Sequence, residues 1–117
     1  MSDDPGEAAR TVVRWAPAHE FRKTHAISGR SSSQKVGELM ASMTRKGWSG
    51  PPVIVVEYAG DKYVLDGHHR IYAARKAGIS VQYRCVNAEQ LKDFGFDSVE
   101  QVVIAHAEGG YNRIRFR

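Results

Sequence analysis

The stretch Val64 to Gly78, VLDGHHRIYAARKAG, sets an acid, a glycine, two histidines and an arginine at consecutive positions, Asp66 to Arg70. They fall where an apolar run gives way to a helix-forming one, and those residue types at that place suit an oxyanion. The first amides of a helix have no intrahelical acceptor and carry the positive end of its dipole, so a phosphate docked there is stabilised. Gly67 permits a close backbone approach and a positive φ. Arg70 grips phosphate oxygens through its planar fork, and His68 and His69 donate to a phosphate or move a proton near neutral pH. Asp66 would be repelled by a phosphate unless it binds a divalent cation, accepts a hydroxyl proton or orients a histidine. It can also serve simply as a helix N-cap. Four ionisable groups at one turn would repel and desolvate one another without an anion to share, and the combination therefore reads as a site.

The elements that must hold this turn follow from periodicity. TVVRWAP, from Thr11, is β-branched and ended by Pro17, which suits a first strand. HEFRKTHAISGRSSS has no apolar period and reads as a long polar loop, the kind that often carries function. A helix is expected from Ser33, with Val36, Leu39, Met40 and Met43 as its buried stripe and Gly47 as its stop. PVIVVEY and YVLD are two strands of a hairpin turning at Gly-Asp, and a helix of about two turns ending before Gly78 follows. SVQYRCV is a further strand. Asn87 caps a short helix over AEQLKDF, and Ser98 with Gln101 forms a capping box opening another. The tail YNRIRFR alternates Arg113, Arg115 and Arg117 with apolar residues, as a basic edge strand or a nucleic-acid contact would. The pattern is α/β or α+β: one small mixed sheet flanked by helices, over residues 11–117, preceded by a flexible arm at 1–10.

Bulk properties narrow the function classes. A chain of 117 residues suits one core. A formal charge of +4 favours polyanions such as nucleotides or nucleic acid. No window approaches the roughly 18 apolar residues of a membrane span. A single cysteine, Cys85, excludes an internal disulfide and fits packing in a reduced, cytoplasmic protein. Neither CxxC nor HExxH occurs, so zinc has no recognisable ligand set. Ser31 to Lys35 could add donors to a phosphate, although Ser33 suits a plain cap. Trp48, Tyr58 and Tyr63 could stack a base or fill the core.

Two β runs followed by DGHHRIYAARKAG and another strand resemble the ParB/sulfiredoxin superfamily, whose members carry a G-x-x-R-x-x-A box after a strand. Gly67, Arg70 and Ala73 occupy the G, R and A of that box, and the likeness covers Val12 to Val86. The resemblance implies the superfamily's fold and a nucleotide site: a GERR-like version binds a nucleoside triphosphate in ParB proteins, and a GGCHR version binds ATP in sulfiredoxins. His68 stands where the sulfiredoxin cysteine would be, which argues against sulfur reduction. No helix-turn-helix segment follows, which argues against chromosome partition.

The DGHHR wording is similar to free serine kinases of this fold and to ParB-like nuclease domains, including some of bacterial toxins. In the kinase-like branch an early-loop glutamate is the general base, and Glu20 stands where it would be expected. The implied chemistry is phosphoryl transfer or phosphodiester hydrolysis, with a ParB-like nuclease favoured and a small-molecule kinase or NTPase second. A non-catalytic, nucleotide-gated DNA-binding module is the rival from another class. Gly67, His68, His69 and Arg70 would bind phosphate of ATP, ADP or another nucleotide. Asp66 would hold Mg²⁺ or act as base with Glu20, and His68 and His69 would transfer protons.

Overall fold

Strand β3, Val53–Tyr58, opens with four consecutive buried residues, the mark of a strand covered on both faces. Val53 and Val55 point into one core, and Ile54 and Val56 point into another. The computed structural model describes residues 12–24 and 30–108. The arm expected at 1–10 and the basic tail with Arg113, Arg115 and Arg117 lie outside them.

Five strands form one mixed sheet: β1 (Arg14–Ala16), β2 (Phe21–Arg22), β3, β4 (Asp61–Asp66) and β5 (Val81–Cys85). Their order is β1-β5-β3-β4-β2. The β3–β4 and β1–β5 pairs are antiparallel, whereas β3–β5 and β2–β4 are parallel. The β3–β4 hairpin turns at Ala59 and Gly60, both at positive φ, one position earlier than the Gly-Asp turn expected. Near the other end of β4, Val64 faces Val55 and Asp66 faces Ile54. Leu65 is thus an extra residue in the ladder, a bulge beside the turn of interest.

Two helices cover one face. α1 (Arg30–Lys46) buries Val36 and Met43, with Leu39 and Met40 partly covered, as the stripe required. It begins at Arg30, so Ser33 lies inside it and is not its cap. α2 (His68–Ala77) packs Ala73 and Ala74 against the same core. On the opposite face, a 3₁₀ helix (Ala88–Phe94) and α3 (Val99–Ala107) supply Leu91, Val102 and Ala105. The Asn87 side chain accepts from the Gln90 amide at 3.2 Å, as a cap should. Ser98 caps α3 likewise, but Gln101 reaches back to the Asp97 amide and only half of the expected box forms.

The early segment departs from the expected loop. Ala18–Glu20 is a 3₁₀ helix and Phe21–Arg22 is the edge strand β2. A two-residue strand has no period of its own; pairing with β4 defines it. The order helix layer, sheet, helix layer gives the α+β architecture. Among the described residues, no helix is long and apolar enough to cross a membrane.

Candidate functional site

The turn between β4 and α2 is built around Gly67, whose φ of 113° is open to glycine and strained for other residues. A Cβ there would lie 2.9 Å from both Arg70 Nη2 and Val53 Cγ2. At Gly50, also at positive φ, a Cβ would come within 3.2 Å of Arg70 Cδ. Two glycines therefore make room for one arginine. Arg70 lies back across the turn, with its side chain 17% exposed, and its Nε and Nη2 are buried without a hydrogen-bond acceptor among the described residues. Asp66 Oδ2 stands 3.7 Å from Nη2, an ion-pair distance too long for a hydrogen bond, and the Asp66 side chain is 64% exposed.

These residues line a cleft of about 440 Å³ between α1 and the turn. Asp66, Gly67, His69 and Arg70 form one wall, while Lys35 and Glu38 of α1 face them. His69 Nε2 lies 3.2 Å from Ser32 Oγ, which directs the ring toward α1. Gly67 is the helix cap and offers no side-chain bond, so no side chain of the cap competes for the first amides of α2. Asp66 does not cap the helix. The arrangement gathers the start of α2, a largely buried guanidinium, a lysine and an imidazole around one space, with the carboxylates of Asp66 and Glu38 on its walls, and the cationic groups suit phosphate oxygens.

Two predicted site residues lie elsewhere. His68 is buried, and its Nε2 accepts from the Thr24 amide at 3.1 Å. That nitrogen is committed to tying the end of β2 to α2, and His68 lines a different cavity from His69 and Arg70. Glu20 forms an ion pair with Lys62 Nζ at 2.8 Å. Because Phe21 pairs with Lys62 in a parallel register, four residues of β4, about 13 Å at ~3.3 Å each, separate that level from Asp66. The sheet brings Thr24 toward the site, with its hydroxyl donating to Val64 O, and leaves Glu20 at the far end. The expected pairing of Glu20 with Asp66 across one reacting group is thus not formed.

Glu38 and Gly50 are additions of the structure, whereas Lys35, at the end of the Ser31 to Lys35 stretch, reaches the cleft from inside α1. Ser32, Lys35 and Leu39 recur at three and four residues along α1, a row that meets the buried stripe at Leu39. That signal is present in the sequence, but only the packing of α1 on α2 gives it meaning. Burial and a hydrogen bond to the Glu57 carboxylate at 3.0 Å push the Cys85 thiol up to about 12, which disfavours its thiolate. Trp48 donates its indole N–H to Gly50 O at 3.0 Å, and Tyr63 is buried against His106, so both serve packing.

Comparison with known proteins supports the fold. One similar solved structure is the C-terminally truncated chromosome-partitioning protein ParB from Caulobacter crescentus, complexed with CTP-γ-S. The two share 21% identity and a TM-score of 0.56, over 84% of this chain and 52% of that one. The chain thus spans about half the length of that ParB. Sulfiredoxin from Arabidopsis thaliana is similar at 26% identity and a TM-score of 0.55, over 71% of this chain and 96% of that one. No curated protein sequence matches. The family model for the ParB N-terminal domain matches residues 7–102, which include every strand described and the whole Asp66–Arg70 turn. The chain belongs to the ParB N-terminal domain family.

Proposed function

We propose that the cleft between α1 and the Gly67 turn binds the phosphates of a nucleotide. The observation that carries this reading is the Arg70 guanidinium, whose Nε and Nη2 are buried and lack hydrogen-bond acceptors among the described residues. A buried charge without hydrogen bonds is costly, and an anion in the cleft removes that cost. Lys35, Gly67 and His69 line the same volume. The nucleotide analogue held by the ParB of similar fold supports a nucleoside triphosphate as the ligand.

A phosphate-borne Mg²⁺ fits the cleft, since such ions take one or two carboxylates and leave the remaining positions to water and phosphate. Asp66 and Glu38 are the carboxylates that line it. When bound, the ion would offset phosphate charge.

A second reading, phosphoryl transfer or phosphodiester hydrolysis, is favoured by one feature. Asp66 is exposed at the cleft wall beside His69, where a carboxylate can take the proton of an attacking hydroxyl or water. With Glu20 at the far end of β4, Asp66 would act as the base from that wall.

Calorimetry with CTP and ATP, with and without Mg²⁺, tests the binding reading. Arg70→Ala should weaken binding by about 1.5–3 kcal/mol, the range for a hydrogen bond to a charged group, and unchanged affinity would remove Arg70 from the site. Phosphate release and plasmid nicking test the second reading. Turnover abolished by Asp66→Ala with binding retained supports it; the absence of turnover in the parent protein leaves the binding function alone standing.

A further inference from the structure

A second cavity lies on another face of α2 and, among the described residues, shares no lining residue with the phosphate cleft. Its volume is about 340 Å³, and His19, Arg22, Lys23, His68, Arg75 and His106 line it. A neighbouring cavity of about 300 Å³ shares Ala18, His19 and Arg75 with it, so the two join into one groove between the 3₁₀ helix at Ala18–Glu20 and α2. Among the described residues, no carboxylate lines either part. Some of the basic groups are engaged within the protein. Arg22 pairs with Asp61 at 3.1 Å and donates to His19 O. His68 accepts from the Thr24 amide, and His106 Nδ1 lies 3.0 Å from Lys23 O. The ammonium of Lys23 and the guanidinium of Arg75 are exposed and have no carboxylate partner among the described residues.

We propose that this groove holds a single strand of nucleic acid by its phosphodiester backbone, with Lys23 and Arg75 neutralising phosphates. Lining without any carboxylate selects an anion. Two adjacent cavities select an extended ligand over a compact one, and a base can meet the Tyr72 ring only when it is not paired inside a duplex. Half-buried Tyr72 and Ile71 give the wall apolar surface for a base or sugar. This site stands apart from the nucleotide cleft and does not depend on it.

The test is fluorescence anisotropy of a labelled single-stranded oligonucleotide over a salt series, with the K23E/R75E double variant beside the parent. The parent should bind, with an affinity that falls as salt rises. In the variant the slope of log affinity against log salt should shrink by about 0.7 for each phosphate that is no longer neutralised, whatever the oligonucleotide sequence. Both positions are exposed, so the fold should persist, and an unchanged CTP affinity in the variant checks this. Arg70→Ala should leave the oligonucleotide affinity intact. No binding by the parent, an unchanged slope in the double variant, or equal affinity for duplex would each overturn the proposal. Loss of the oligonucleotide with Arg70→Ala alone would place the strand in the nucleotide cleft and overturn it too, whereas a failure to bind CTP bears only on the cleft.

Discussion

Arg70 is shaped by the two residues that have no side chain. Gly67 and Gly50 leave the space that lets its guanidinium lie across the turn, and either Cβ would meet it. Gly67→Ala adds a strained backbone to two contacts at 2.9 Å, one of them with Val53, a fully buried core residue that cannot yield easily. The left-handed conformation alone costs roughly 1–3 kcal/mol in such a residue, so thermal denaturation should report a loss of at least about 1 kcal/mol. Nucleotide affinity should fall as well, because the guanidinium is displaced. A variant with the parent's melting temperature and affinity would show that the turn tolerates a side chain. At this scale the sequence is informative: DGHHR marks the turn, and Gly67 and Arg70 lie where their types require. It cannot distribute the two histidines. Adjacent residues on a helix point about 100° apart, and which of His68 and His69 faces the cleft depends on how α2 is rolled against the sheet.

Elements explain why His68 takes the other direction. β2 is a two-residue edge strand, and its continuation is anchored by Thr24, a fully buried residue whose amide donates to His68 Nε2 and whose hydroxyl donates to Val64 O. His68→Phe removes the acceptor and leaves a buried N–H unsatisfied, at a cost of about 1–3 kcal/mol. Hydrogen exchange should then speed at the Thr24 amide, while His68→Gln, which keeps an acceptor oxygen, should restore part of the protection. Equal exchange in all three proteins would mean that β2 is held by other contacts. The longer elements are legible in the sequence because each carries a full period or a cap, as α1, the β3–β4 hairpin and the Asn87 and Ser98 caps do. β2 is not: its two residues become a strand only through β4, and the Phe21 ring finds its place edge-on to Tyr83 at 5.4 Å. That hidden strand is also why the sequence suggests Glu20 beside Asp66. A loop could have carried Glu20 there; a parallel strand in register with Lys62 could not.

For the whole molecule, the Glu20–Lys62 pair is a pin between the N-terminal segment and the sheet, and its pH dependence has a definite sign. The hydrogen bond from Lys62, aided by the charges of Lys62 and His19 and opposed by burial, holds the Glu20 carboxyl below its ordinary 4.5. The same bond raises the Lys62 ammonium above 10.5. The folded protein therefore binds the Glu20 proton more weakly than the unfolded chain does. Glu20 contributes its full stabilisation above about pH 4.5, and the contribution fades as pH falls through the lower folded value. Lys62 behaves in mirror image: its share is complete below 10.5 and is lost as pH rises past the higher folded value. A chain already at +4 gains further positive charge in acid, so general self-repulsion would lower stability over the same range. The two effects separate by difference. The melting temperature of the parent minus that of Glu20→Gln should be positive and flat from about pH 5 to 8, then shrink toward zero on acidification, since repulsion acts on both proteins and the pin on only one. A difference that persists unchanged well below the ordinary carboxyl range would show that Glu20 stabilises through packing and not through its charge.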